Sequence, residues 1–280
     1  MTGQLMKVVF LAVVMALSQA CATTETPASQ HETERDKNKE AAETLVQLGV
    51  GYLRKGNRQR ARINLLKALE KNQRSGDAHN ALALLLQMEG ESALAEEHFK
   101  RAIAYEPELT RLRYNYSIFL LAQKRYDDAL EQFSITAEDI NYERRGHVFF
   151  NIGLIAKQQG KVEEAQQAWE KAILLTPDLA GPFLELADIY FTANDYPKAK
   201  RYLDRYEGLT RPSPRALWLA VQLEYVFANK DGEASKALAL RNLFPYSQET
   251  LEYKAWLKSR DSVATNTVPT TQLEPALKTD

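Results

Sequence analysis

The sequence predicts an all-α chain built as a solenoid of about six helix-turn-helix repeats, and three observations carry that expectation. An alanine returns at Ala61, Ala95, Ala129, Ala165 and Ala199, in steps of 34, 34, 36 and 34. A large apolar residue follows four places after each, at Leu65, Phe99, Phe133, Trp169 and Leu203. Glycine stands five places before three of the alanines, at Gly56, Gly90 and Gly160, with Lys124 and Asn194 in the equivalent places. Self-similarity at a fixed period of roughly 20 to 50 residues marks a stacked-repeat architecture.

Each position has a physical reason. The glycine supplies the left-handed conformation that ends a first helix. The alanine keeps the second helix thin enough for close approach, and the large residue one turn on fills the space left. Pro107 and Pro177 interrupt the chain between repeats. The pattern resembles the tetratricopeptide (TPR) repeat, which implies a right-handed superhelix. Two extra residues between Glu138 and Arg145 explain the 36-residue step and lengthen one connection. The sixth repeat, "ALWLAVQLEYVFANKDGEASKALALRNLFP", is expected to be an atypical terminal cap whose turn is displaced to Asp231-Gly232. The solenoid is expected over residues 41–258, and the polar residues 259–280 as a disordered tail.

The N-terminus has a different character. Lys7 precedes an apolar run from Val8 to Leu17, and small residues follow. About ten apolar residues are too few for a membrane-spanning helix, which takes roughly 20. The plan is that of a secretory signal peptide over residues 1–20, with translation starting at Met1 or Met6. "LSQAC" resembles a bacterial lipobox, with Ser18 where leucine is usual, so Cys21 is the candidate lipidation site. Ala22 follows it rather than aspartate. By resemblance to lipoprotein sorting rules this implies a lipid anchor in the inner leaflet of the outer membrane, facing the periplasm. The residues up to 40, "ATTETPASQHETERDKNKE", contain no large aliphatic or aromatic side chain and are expected to form a flexible tether.

Little in the chain suggests catalysis. A net charge of −1 gives no basic face for nucleic acid. The single cysteine cannot close an internal disulfide. His31, His79, His98 and His147 fall in separate segments with no metal-ligand spacing, and no nucleophile elbow or phosphate-binding loop is present. The pairs Asp127-Asp128 and Glu163-Glu164 begin second helices, where carboxylates favour the positive helix end. No enzyme activity, metal, cofactor beyond a covalent lipid at Cys21, or small-molecule substrate is expected.

Binding is better supported. With repeats starting at Ala42, Gly76, Thr110, Gly146 and Ala180, the fifth, ninth and twelfth places of each first helix share one face. They give a candidate partner groove of Val46, Val50, Leu53, Leu84, Tyr114, Ile118, Leu121, Phe150, Leu154, Leu184 and Phe191, with Asn80, Gln87, Lys157 and Asp188 as polar members. An apolar groove of this kind fits an amphipathic helix or an extended apolar segment. Filling by the protein's own tail, or packing between repeats, is the alternative use of these side chains. TPR domains that grip a terminal carboxylate need Lys and Asn where this chain has Val46 and Val50.

Local motifs go beyond the general repeat. "YNYSIFLLAQKRYDDAL" (114–130, with Ser117 in place of glycine), "FFNIGLIAKQQGKVEEA" (149–165), "AKRYLDRY" (199–206), "ALWLAVQLE" (216–224) and "LFPYS" (243–247) resemble segments of the type IV pilus biogenesis lipoproteins, the PilF/PilW-type pilotins. That resemblance implies a scaffold that binds the outer-membrane secretin subunit and promotes its localisation and assembly into a multimer. The rival is a periplasmic TPR lipoprotein that scaffolds peptidoglycan enzymes or outer-membrane assembly.

Overall fold

The computed structural model describes residues 27–266, with side chains described from 31 to 260; the signal peptide and Cys21 lie outside the described residues. All thirteen elements among these residues are α-helices. They divide into two compact bodies, one ending at Phe119 and one starting at Leu120.

The N-terminal body holds α1 (Pro27–Arg54), α2 (Arg58–Lys71), α3 (Gly76–Glu89), α4 (Ser92–Tyr105) and most of α5 (Thr110–Ala122). The C-terminal body holds the end of α5, then α6 (Tyr126–Glu138), α7 (Arg145–Gln158), α8 (Val162–Leu175), α9 (Ala180–Thr192), α10 (Tyr196–Leu209), α11 (Pro214–Val226), α12 (Lys230–Leu243) and α13 (Gln248–Asn266). Within each body helices pair as the repeat predicts, α1 with α2, α3 with α4, α7 with α8, α9 with α10 and α11 with α12, and all five periodic alanines are fully buried. Leu65, Phe99, Phe133, Trp169 and Leu203 are at most 1 % exposed, so each contributes roughly 1.5–3 kcal/mol of burial. The lengthened connection is residues 139–144, against four residues at 72–75, 106–109 and 176–179.

The turns between paired helices are uniform in conformation though not in sequence. Gly56, Gly90 and Gly160 have φ of 73°, 85° and 77°, while Lys124 and Asn194 adopt 60° without glycine's freedom. Here the sixth repeat departs from expectation. Its turn is at Ala228 (φ 55°), not Asp231-Gly232. Ala228 lies 34 residues after Asn194, so the period is kept. Its N–H donates to the Tyr225 carbonyl at 3.0 Å, repeating the Asn194 to Phe191 bond. Gly232 belongs to the first turn of α12, where a Cβ would stand 2.7 Å from Glu224 Oε2.

Both ends are longer than the sequence predicts. Helix α1 has 28 residues, against 13 or 14 in α2 to α12, and begins inside the segment expected as a tether. Residues 31–40 are exposed apart from half-buried Asn38; the first buried side chain is Ala42. Opposite charges three apart, Glu32 with Arg35 and Asp36 with Lys39, favour helix there. Propagation from an already packed segment adds one hydrogen bond per residue, which needs no new nucleus. At the other end α13 runs past residue 258 to Asn266, into the expected tail. Tyr253, Trp256 and Leu257 pack on Leu217, Val221 and Leu240 of the last repeat. The cap is a hydroxyl pair: Ser247 Oγ accepts from the Thr250 N–H (3.2 Å), and Thr250 Oγ1 donates to the Phe244 carbonyl (2.8 Å).

Candidate functional site

The predicted groove residues separate into two groups in each body. In the N-terminal body Val46 and Tyr114 are 8 % and 5 % exposed, so they are interior residues with little surface to offer. Val46 packs with Ala42, Ala68 and Ala78, and Val50 leans on the same cluster. Val50, Leu53, Leu84 and Ile118 are half-buried and remain as partly open aliphatic surface. In the C-terminal body Leu184 is 8 % exposed and joins Phe183, Ala187 and Leu203, with Phe191 packed against them. Phe150 and Leu154 lie against Trp169 and Leu186. A Cβ on Gly181 would stand 2.6 Å from the Phe150 ring, so only glycine lets α9 approach it. Leu121 is half-buried on α5. Packing between repeats thus claims the fifth-place residues Val46, Tyr114 and Leu184, while Asn80 and Phe150 in the same place, and the ninth and twelfth places, stay half-buried or exposed.

Sequence reasoning placed Lys157, Asp188 and Asn80 on this face but missed the groups that bond to them, Glu185, Arg215 and Asn115. Glu185 of α9 is 8 % exposed and receives two bonds from Arg215 (2.5 and 3.0 Å) and one from Lys157 Nζ (2.7 Å). Arg215 also binds Asp188. Burial works to raise the Glu185 carboxyl, but the hydrogen bonds from Arg215 and Lys157 outweigh it and hold it below the ordinary range. Two cations and two carboxylates make the cluster neutral. It borders an open recess of about 360 Å³ walled by Val162, Ile189 and Ala193. In the N-terminal body Arg111 clasps Asp77 and Asn115 bonds Asn80 (3.1 Å). The available signal was positional: Asn115, Asn151 and Glu185 recur at steps of 36 and 34 on otherwise apolar first helices.

The histidines are not all isolated. His79, 4 % exposed, meets His98. His147 is half-buried with Nδ1 lacking a hydrogen-bond partner. Among the described residues no three metal-binding side chains come together.

Repeated helix pairs and an inward row of this composition define a tetratricopeptide repeat protein, and the tetratricopeptide repeat profiles match residues 46–104, 86–139 and 146–179. The type IV pilus assembly protein PilF of Pseudomonas aeruginosa is 36 % identical over 245 residues, spanning 87 % of this chain and 97 % of that protein. The chain belongs to the PilF family of type IV pilus biogenesis proteins. The solved structure of PilF superposes with a TM-score of 0.75, covering 78 % of this chain and 99 % of that one. PilW, a type IV pilus biogenesis factor, shares the fold at 21 % identity and a TM-score of 0.66, covering 76 % and 97 %.

Proposed function

We propose that this chain is an outer-membrane-anchored scaffold that binds the type IV pilus secretin subunit and promotes its localisation and assembly. The observation that carries the proposal is the alignment with PilF over 97 % of that protein's length. The lipid on Cys21 would hold the chain at the inner leaflet, and the partly open row Val50, Leu53, Leu84 and Ile118 would hold the partner. Confinement at a membrane raises the local concentration of the subunit there, so modest groove affinity suffices. One acyl chain gives only marginal attachment, and several together make it stable.

The test is crosslinking in cells from Val50 and Ile118, with identification of what is captured, alongside fractionation of Cys21→Ser. Capture of the secretin and release of Cys21→Ser from membranes support the proposal. Continued sedimentation of Cys21→Ser with membranes after a high-salt wash overturns the anchor. Unchanged secretin binding in Val50→Asp or Ile118→Asp variants of normal helicity overturns the groove.

A further inference from the structure

Two first helices of the N-terminal body, α3 and α5, bring one asparagine each to a common place. Asn115 Nδ2 donates to Asn80 Oδ1 at 3.1 Å, across 35 residues of sequence. Both side chains are half-buried. A carboxamide offers two N–H donors and an oxygen with two lone pairs. A single bond between two amides leaves one amide oxygen and one NH2 group with no partner in the protein. Turning both amides over gives the same count, so the conclusion does not depend on which end is nitrogen. Arg111 and Asp77, the charged pair on the same two helices, are engaged with each other, Nη2 to Oδ2 at 2.9 Å. Leu84 stands one turn beyond Asn80, and Ile118 one turn beyond Asn115, both half-buried.

Resting on the scaffold reading above, we propose that this face receives its partner as an extended apolar segment, with one peptide group bound by the Asn80–Asn115 pair. The complementarity is one of partial charge. The pair offers a donor and an acceptor side by side, and an extended chain presents a free N–H and C=O along its edge. Leu84 and Ile118, each one turn on from its asparagine, accept the apolar side chains next to that peptide group. An amphipathic helix does not match: its amides are already bonded four residues back. Seating a helix would strip water from the asparagine pair and return no hydrogen bond. The pair therefore selects backbone conformation, while the aliphatic residues select composition.

The experiment begins with a photo-crosslinking residue at Leu84 or Ile118 of the full chain in cells, and sequencing of the captured segment. That segment is then synthesised in three forms: linear, with an ester replacing one backbone amide at a time, and with a staple that fixes a helix. Calorimetric titration against the wild-type chain and an Asn80→Ala/Asn115→Ala variant, checked for helicity, completes it. The linear form should bind, and one ester position should weaken it about tenfold, the scale of one hydrogen bond. Against the double variant the same ester should matter less than twofold. The stapled form should bind worse than the linear one. A stapled form that binds as well as the linear one, or an ester scan without effect, overturns the extended-segment assignment and leaves the scaffold reading intact. Failure to capture any secretin segment overturns the scaffold reading, and the assignment with it.

Discussion

His79 and His98 meet through their Nδ1 atoms at 2.8 Å, and their roles in that bond are fixed by a third group. His79 Nε2 lies 3.1 Å from the Gln73 carbonyl, which can only accept, so Nε2 carries the proton and Nδ1 is a bare lone pair. His98 Nδ1 must then donate.

This bond predicts acid sensitivity. Burial lowers both imidazoles, and the facing His79 and Arg101 push His98 further, to about 4. In the unfolded chain both return to the ordinary 6.5, so between that pH and about 4 the unfolded state binds more protons. The pair's stabilisation is complete above pH 6.5 and is lost as pH falls toward 4. Urea midpoints at pH 7 and pH 5 should differ more for the wild type than for His98→Gln. Equal differences would mean that the pair does not titrate in this window.

Ala228 holds a left-handed conformation that costs a non-glycine residue roughly 1–2 kcal/mol. Ala228→Gly should therefore stabilise the C-terminal body by about 0.5–1 kcal/mol, after the entropic cost of glycine is subtracted. Gly90→Ala should destabilise by a similar amount. Chemical denaturation of the two variants measures both signs.

Arg215→Met removes the two-pronged partner of a nearly buried carboxylate and should cost about 2 kcal/mol. Adding Glu185→Leu should recover much of that loss, since an apolar pair needs no desolvation of charge. A thermal-melt series of wild type, single and double variants checks the recovery. A double variant no more stable than the single would show that the cluster earns its place by packing alone.

Removing α13 by truncation after Ser247 should expose Leu217, Val221 and Leu240. Gel filtration should then show association or aggregation, because a solenoid end without its cap presents an apolar face.

The repeat architecture was legible in sequence because it rests on side-chain volume at fixed places, as at Ala165 and Trp169. The turn at Ala228 was not, because alanine gives no hint of left-handed backbone and Gly232 nearby offers a better residue in the wrong place. The tether boundary failed for another reason: polar composition argues against burial, and α1 is helical between residues 31 and 41 with almost none. Among the candidate groove residues, the face was readable but not its depth. Val46, Tyr114 and Leu184 share a stripe with Val50 and Ile118, and only the neighbouring helix decides which end of that stripe is covered. Asn80 with Asn115, and His79 with His98, are contacts 35 and 19 residues apart that no local pattern announces.

The fifteen helical residues from Pro27 to Ala41 amount to about 22 Å of rigid rise ahead of the first packed position. A helix fixes angle as well as distance, at about 100° per residue. Pro27 is therefore held at a set distance and heading from the first repeat. Removing four residues from this stretch shortens that distance and changes the heading by only about 40°, whereas removing two turns the first repeat by about 200°, to nearly the opposite heading.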